Sequence, residues 1–135
     1  MLLLILFNAN FLVSQNVIEK DPKIKVVAME PEEAPTLSKG IRGPHQIEGI
    51  GDGFVLEIFE KHRDIVDEIV TVSSNDAIEM ARKIARMEGV FLGISSGGSV
   101  VAAIRIGKQL GFGSRIVTLL PDSGTKYLTT KLVPD

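Results

Sequence analysis

The order of apolar and polar positions along the chain predicts strands that alternate with helices. Short apolar runs have the composition of buried strands at Lys25–Ala28, Glu68–Val72 and Arg115–Leu120, with a further buried run at Val90–Ile94. Apolar residues at helical spacing predict helices over Phe11–Lys20, Gly53–Lys61 and Ser99–Leu110, whereas residues 31–53 are predicted as loop. This alternation predicts an α/β fold with a mostly parallel sheet and helices on both faces.

The clearest helical signal lies between Ser73 and Gly89. Ser73 or Ser74 can cap the first turn, and Gly89 stands where a left-handed residue ends a helix. Glu79 lies four residues before Lys83, a spacing that favours an ion pair on one helix face. In sheets of this kind ligands bind beyond the carboxyl ends of the strands. Ligand-binding residues are therefore expected in the loops after residues 28, 94 and 120.

The most hydrophobic segment is Met1–Phe7, with the sequence MLLLILF. It is far shorter than the span of about 20 residues that crosses a membrane, and it lacks the basic start and small-residue cleavage site of a signal peptide. The favoured interpretation is a buried strand. A remnant of a secretory or membrane segment and an interfacial anchor remain the alternatives.

Composition narrows the classes of function. A chain of 135 residues with 44 % apolar and 24 % charged residues is one globular domain and not a disordered segment. Fifteen basic and 17 acidic residues, with the basic ones mostly isolated, predict neither nucleic acid nor membrane as a partner. The absence of cysteine excludes disulfides, a thiolate nucleophile and a cysteine zinc site, and it fits a cytoplasmic location.

All thirteen glycines lie at or after Gly40, and six of them belong to three candidate sites. The first, 49–53, reads GIGDG; it has neither the spacing nor the preceding strand of a dinucleotide loop, so a binding loop and a flexible turn both stay open. The second, 93–97, matches the G-x-S-x-G pattern of a serine hydrolase with Ser95 as nucleophile. The third, 121–124, reads PDSG and is either a turn or a ligand site.

The two histidines weaken the hydrolase and metal hypotheses. His45 and His62 both precede Ser95, the reverse of the order in α/β hydrolases, and no third ligand stands at a spacing suited to a metal. The alternative for the second glycine segment is that small residues let a helix start close to the sheet. Its amino-terminal N–H groups would then face an anion.

Four stretches taken together resemble the carboxyl-terminal part of cysteine synthases (O-acetylserine sulfhydrylases). They are IKVVAMEPEEAP, GPHQIEGIGDGF, VSSNDAIEMARKIARMEGVFLGISSGG and LLPDSGTKYLTT, in the order of the family. The family belongs with cystathionine β-synthases to the fold-type II enzymes that use pyridoxal 5'-phosphate. The resemblance implies part of a tryptophan synthase β-like fold, with 1–12 as an atypical apolar start and 13–135 as the family portion.

The resemblance also implies site residues, cofactor and partners. Ser123 is similar to the family serine whose hydroxyl binds the pyridine nitrogen of pyridoxal 5'-phosphate, and Gly49, Ile50 and Gly51 match the substrate-binding loop. The reaction it implies is β-replacement, in which O-acetylserine and sulfide give cysteine and acetate. The implied partners are a small amino-acid substrate, a second copy in a homodimer, or serine acetyltransferase.

Two family features have no counterpart in this sequence. The family lysine that holds the cofactor as a Schiff base is missing, since Lys39 maps to a different loop. The glycine-rich phosphate loop should fall at about Ile5 to Ala9, where the chain reads ILFNA. Bulky side chains there would fill the space of a phosphate. We therefore expect a truncated chain with no catalytic residue of its own, inactive by itself; the alternatives are a partner-binding module that uses residues 40–53, or the Ser95 hydrolase.

Overall fold

The computed structural model describes residues 2–6, 11–50 and 57–133, and the centre of this part is a parallel sheet. The strands of the sheet are β1 (Leu2–Leu6), β2 (Lys25–Pro31), β3 (Glu68–Val72) and β4 (Arg115–Thr118), in the spatial order β3-β2-β1-β4. In register, Leu4 lies between Val26 of β2 and Val117 of β4, and Ala28 pairs with Ile69 of β3. The apolar start thus forms a strand, as predicted, inside the sheet and flanked by two neighbours.

The helices that connect the strands cover both faces of the sheet. They are α1 (Phe11–Lys20), α2 (Thr36–Lys39), α3 (Glu57–Lys61), α4 (Ser74–Glu88) and α5 (Ile94–Leu110). Side chains of β2 alternate between two cores: Val27 and Met29 pack in the core shared with α4 and α5, while Val26 and Ala28 pack with Phe59 and Val66. The predicted α/β class with a mostly parallel sheet is confirmed.

Helix α4 has the predicted ends and a different ion pair. The hydroxyl of Ser73 accepts a hydrogen bond from the N–H of Asp76 at 3.1 Å, and Gly89 closes the helix with φ +70°. The carboxylate of Glu79 pairs with Arg82 at 2.7 Å. The predicted partner of Glu79 was Lys83, the next residue after Arg82. The guanidinium of Arg82 instead binds Glu79, and it also donates to the Leu132 carbonyl at 3.1 Å.

The close approach of α4 and α5 explains the small residues at the start of α5. A Cβ atom added to Gly97 would overlap the carbonyl oxygen of Ala77 and lie 2.9 Å from the backbone nitrogen of Ala81. Ser96 and Ser99 are fully buried beside this contact. The predicted close approach to the sheet is found at Gly98, where an added Cβ would lie 2.9 Å from Cε of Met29 in β2; at Gly97 the close neighbour is α4.

Several predicted boundaries were wrong. The run Val90–Ile94 is not a buried strand: Val90 and Phe91 are 46 % and 37 % exposed, only Leu92 forms a bridge, and Ile94 already begins α5, five residues before the predicted start. Strand β2 continues to Pro31 because Glu30 and Pro31 still pair with β3. Helix α3 begins at Glu57, and the earlier part of that prediction lies outside the described residues. No helix in the described ranges is long and apolar enough to cross a membrane.

Candidate functional site

The PDSG segment forms a turn that is paired with the residues before α5. We call Asp122–Tyr127 the serine turn. The N–H of Gly93 donates to the carbonyl of Asp122 at 3.1 Å, and the N–H of Gly124 donates to the carbonyl of Phe91 at 3.0 Å. These bonds flank an antiparallel bridge between Leu92 and Ser123. Ser123 is therefore held beside the start of α5, in the loop that follows β4, at the edge where the sheet is expected to bind a ligand.

The hydroxyl of Ser123 is oriented by Thr125. Its oxygen accepts a hydrogen bond from the N–H of Thr125 at 3.3 Å and another from the Thr125 hydroxyl at 3.1 Å. A hydroxyl can donate its one proton as well as accept, so the exposed Ser123 hydroxyl can donate to an acceptor outside the turn. The side chain is exposed. The Ser123 hydroxyl is thus oriented by the turn and open to solvent.

The carboxylate of Asp122 is the centre of the polar contacts behind Ser123. Its Oδ2 atom accepts a hydrogen bond from the hydroxyl of Tyr127. Its Oδ1 atom lies 3.5 Å from the Ser95 hydroxyl and 3.4 Å from the Ser96 hydroxyl, both long contacts. A Cβ atom on Gly93 would overlap Oδ1, so only glycine leaves room for the carboxylate. Asp122 and Tyr127 were not predicted as site residues, although Asp122 belongs to PDSG and Tyr127 follows it by three residues.

Tyr127 has a strongly perturbed phenol. The side chain is only 5 % exposed. Burial raises the pKa of Tyr127, and the hydrogen bond to Asp122 and the negative charges of Asp122 and Glu48 raise this pKa further. The phenol therefore stays protonated, and it donates to Asp122 throughout the physiological pH range. The influence of Glu48 on this pKa indicates that the serine turn lies near the loop that carries Gly49 and Ile50.

Residues 43–50, which we call the entrance loop, are anchored at both sides of the exposed Glu48 and Gly49. Ile47 and Ile50 are buried in the core that also holds Tyr127. The N–H of Gln46 donates to the hydroxyl of Ser74 at 2.9 Å, and this bond ties the loop to the first turn of α4. The loop is therefore held in place by its two buried isoleucines and by the hydrogen bond between Gln46 and Ser74.

The predicted substrate residues have different surroundings. Gly49 is exposed with φ +81°, whereas the side chain of Ile50 points into the core, so any ligand contact at Ile50 falls to its backbone. Gly51 lies outside the described residues. Of the predicted phosphate segment, Ile5 belongs to β1, and residues 7–9 lie outside the described part.

The other candidate residues do not join this site. Ser95 is buried, and its hydroxyl faces the carboxylate of Asp122, not an imidazole. Lys39 ends α2 and is exposed, as is every lysine of the chain. In the described ranges no group of three or more histidine or acidic side chains is arranged to hold a metal ion.

Comparison with known proteins gives a family model and a set of relatives. The model described as "Pyridoxal-phosphate dependent enzyme" matches residues 13–122. A cysteine synthase of Staphylococcus aureus strain Mu50 is 44 % identical over 117 residues, which are 86 % of this chain and 37 % of that enzyme. The chain therefore spans little more than a third of the length of this relative.

Solved structures agree with the fold. O-acetyl serine sulfhydrylase isoform 3 from Entamoeba histolytica superposes with a TM-score of 0.86 at 37 % identity, over 97 % of this chain and 40 % of that one. The O-acetylserine dependent cystathionine β-synthase from Helicobacter pylori gives 0.88 at 30 % identity, over 99 % of this chain and 44 % of that one. Both neighbours have the tryptophan synthase β-like fold, as expected from the sequence.

Proposed function

The chain belongs to the family of pyridoxal-phosphate dependent enzymes, and from this premise we propose that it carries the ring-nitrogen side and the substrate-entrance side of a cysteine synthase-like site. The proposed reaction is β-replacement on O-acetylserine: the C–O bond to acetate breaks, a C–S bond to sulfide forms, and cysteine and acetate are the products. The names of the relatives from Staphylococcus aureus and Entamoeba histolytica support this substrate class.

The observation that carries the proposal is the exposed hydroxyl of Ser123, held by the bridge to Leu92 in the loop that follows β4. When bound, pyridoxal 5'-phosphate supplies an electron sink for the substrate's Cα. A carboxylate next to its pyridine nitrogen would keep that nitrogen protonated, whereas a hydroxyl donates a hydrogen bond and leaves the nitrogen neutral. The two bonds from Thr125 set the Ser123 hydroxyl to donate in this way. A weaker sink is sufficient to eliminate acetate from the β-carbon.

The entrance loop supplies the second half of the proposed site. Its anchors at Ile47 and Ile50 keep the exposed Gly49 in place. Because Gly49 has no side chain, a substrate carboxylate can reach the backbone there without a steric barrier. We therefore assign substrate contact to the backbone of Gly49 and Ile50, and the resemblance to the family loop extends this assignment to Gly51.

The proposed site lacks a lysine of this chain that is suited to act as the reactive amine. A lysine that acts as a nucleophile needs a neutral amine, which burial favours, yet every lysine of the chain is exposed. We propose that the chain alone binds the cofactor weakly and does not turn over. The reactive lysine would come from a polypeptide that corresponds to the part of the relatives outside this match.

Cofactor binding can be followed through the only tyrosine, because the chain has no tryptophan. We expect pyridoxal 5'-phosphate to quench the fluorescence of Tyr127 in a saturable manner. Replacement of Ser123 by alanine removes one hydrogen bond and should weaken binding by about tenfold. The matched control is Ser114→Ala, a serine before β4 and outside the serine turn. Equal affinities of Ser123→Ala and the parent chain would contradict the assignment.

Catalysis is tested by complementation. The chain is mixed with the part of the Staphylococcus aureus cysteine synthase that it does not match, together with pyridoxal 5'-phosphate, O-acetylserine and sulfide. We expect cysteine only when both polypeptides are present, and much less with the Ser123→Ala chain. Cysteine formed by this chain alone would refute the proposed division of the site, and no cysteine with both would refute the proposed reaction.

A further inference from the structure

The pair of Asp122 and Tyr127 connects the two halves of the candidate site. Asp122 lies next to Ser123 in the chain, and its carboxylate accepts a hydrogen bond from the Tyr127 hydroxyl. Tyr127 lies in the same core as Ile47 and Ile50 of the entrance loop, and it interacts electrostatically with Glu48. The serine turn and the entrance loop thus contribute side chains to the same core, in which the phenol of Tyr127 is buried.

We propose that Asp122 is a positioning residue for Ser123, and that Tyr127 is the donor that holds its carboxylate in place against the start of α5. The proposal rests on the proposed role of Ser123 as the ring-nitrogen donor. Asp122 itself touches no substrate or cofactor in this scheme. It acts by fixing the backbone between Asp122 and Gly124, from which the Ser123 side chain projects.

The contacts around Asp122 show which bonds restrain its carboxylate. The backbone of the turn is paired with the segment before α5 through two hydrogen bonds, from Gly93 to Asp122 and from Gly124 to Phe91. The contacts of Asp122 with the Ser95 and Ser96 hydroxyls are long, at 3.5 and 3.4 Å. The bond from Tyr127 is therefore the strongest side-chain restraint on the carboxylate.

The charges that face Tyr127 are acidic. Asp122 approaches it from its own turn, and Glu48 approaches it from the entrance loop. Both disfavour the phenolate, and the hydrogen bond to Asp122 stabilises the protonated phenol. Loss of the Asp122 charge should therefore make Tyr127 easier to ionise, whereas loss of the Glu48 charge should have a smaller effect in the same direction.

The experiment uses the absorbance of the phenolate, which reports on Tyr127 alone because the chain has no other tyrosine and no tryptophan. In Asp122→Asn we expect the apparent pKa of Tyr127 to fall by about one unit relative to the parent chain. Glu48→Gln should give a smaller decrease. The control is Asp64→Asn, which makes the same chemical change at an exposed aspartate near the other core and should leave the titration unchanged.

Amide hydrogen exchange tests the effect on the turn. We expect the N–H groups of Gly93 and Gly124 to exchange about tenfold faster in Asp122→Asn and in Tyr127→Phe, a change of about 1.4 kcal/mol in local opening. The amide of Asp67, which donates to Val26 at 2.9 Å on the other side of the sheet, is the internal control. The phenylalanine variant keeps the buried ring, so it tests the restraint even if Asp122→Asn does not fold.

Both measurements are made without cofactor, so a failure to bind pyridoxal 5'-phosphate would overturn the proposed function and leave the positioning role standing. An unchanged Tyr127 titration in Asp122→Asn would overturn the pairing. Unchanged exchange of Gly93 and Gly124 in both variants would overturn the positioning role.

Discussion

The serine turn and the entrance loop form two halves of one candidate site, and they are held by different forces. Directional hydrogen bonds fix the serine turn: two backbone bonds, the Asp122–Tyr127 bond and the bonds from Thr125 to Ser123. The entrance loop depends mainly on two buried isoleucines, Ile47 and Ile50, and it is also bonded to Ser74. The proposed roles fit this difference: a hydroxyl that binds one atom needs directional restraints, whereas a substrate-binding loop needs anchors with exposed backbone between them.

The two kinds of restraint differ in energy. A hydrogen bond contributes about 1 kcal/mol to stability, whereas loss of a buried isoleucine side chain costs about 2–5 kcal/mol. Substitutions at the anchors of the entrance loop should therefore lower the stability of the whole domain. Substitutions in the serine turn should change local order more than global stability.

The largest effect is expected from Ile47→Ala. Ile47 is fully buried in the core that joins the sheet, α4, α5 and Tyr127, so its truncation leaves a cavity. We expect the free energy of unfolding to fall by about 2–5 kcal/mol, measured by urea denaturation. The matched control is Ile41→Ala, since Ile41 is 51 % exposed just before the loop. Equal losses for the two variants would show that the loop is not anchored by burial.

The next largest loss of stability is expected from Gly93→Ala beside the serine turn, and it is compared with Gly49→Ala in the entrance loop. In Gly93→Ala the new Cβ would overlap Asp122 Oδ1 and lie 2.7 Å from the Tyr127 ring, so the serine turn must shift, at a cost of about 1–3 kcal/mol. In Gly49→Ala the Cβ meets no atom within 4 Å, and the cost of about 1 kcal/mol comes from φ +81° alone.

Amide exchange separates these two mechanisms. Gly93→Ala should accelerate exchange at Gly124, whereas Gly49→Ala should leave Gly124 protected. If Gly49→Ala also exposed the Gly124 amide, the two halves would be coupled more tightly than their different restraints imply.

Strands β2 and β3 and helix α4 could be predicted because their signals are local. Apolar runs and the capping residues Ser73 and Gly89 act within a few residues of themselves. Strand β2 exceeds its prediction because the carboxylate of Glu30 is buried and bonded to the N–H of Leu37 at 2.7 Å and to Ser38. A local sequence pattern ends the strand at Glu30 and Pro31 because it does not show that Leu37 and Ser38 will bind the Glu30 carboxylate.

The site was predicted only in part, because its restraints connect distant segments. Ser123 and the loop around Gly49 came from the resemblance to cysteine synthases, and their roles stay predictions. Asp122 contacts Ser95, which lies 27 residues away. The same pairing explains the failure at Val90–Ile94, because this run joins the serine turn and not the sheet. Neither hydrophobic period nor turn composition specifies such a contact.

The raised pKa of Tyr127 predicts how the serine turn responds to pH. A folded-state pKa above the unfolded value of about 10 means that this contribution to stability is fully present below pH 10 and is lost as the pH rises towards the folded pKa. We expect the free energy of unfolding to fall with pH above about 10, by at most about 1.4 kcal/mol per pH unit from this group.

Tyr127→Phe removes the titrating hydroxyl and keeps the ring, so it isolates this contribution. Urea denaturation at about pH 8 and about pH 11 should give a smaller loss for the variant than for the parent chain. The same loss in both would mean that Tyr127 is not the group responsible.

The smallest effect is expected at the hydrogen bond that joins the entrance loop to α4. Ser74→Ala removes the acceptor of the Gln46 N–H and should cost about 1 kcal/mol, with faster exchange of the Gln46 amide. Its neighbour provides the control: Ser73→Ala removes the cap of α4, costs about 1 kcal/mol and should accelerate exchange at Asp76 instead. Because the two variants have similar global costs, the position of the exposed amide distinguishes them. Faster exchange at Gln46 in both variants would mean that the loop follows the first turn of α4 as a whole, and that Ser74 is not a separate anchor.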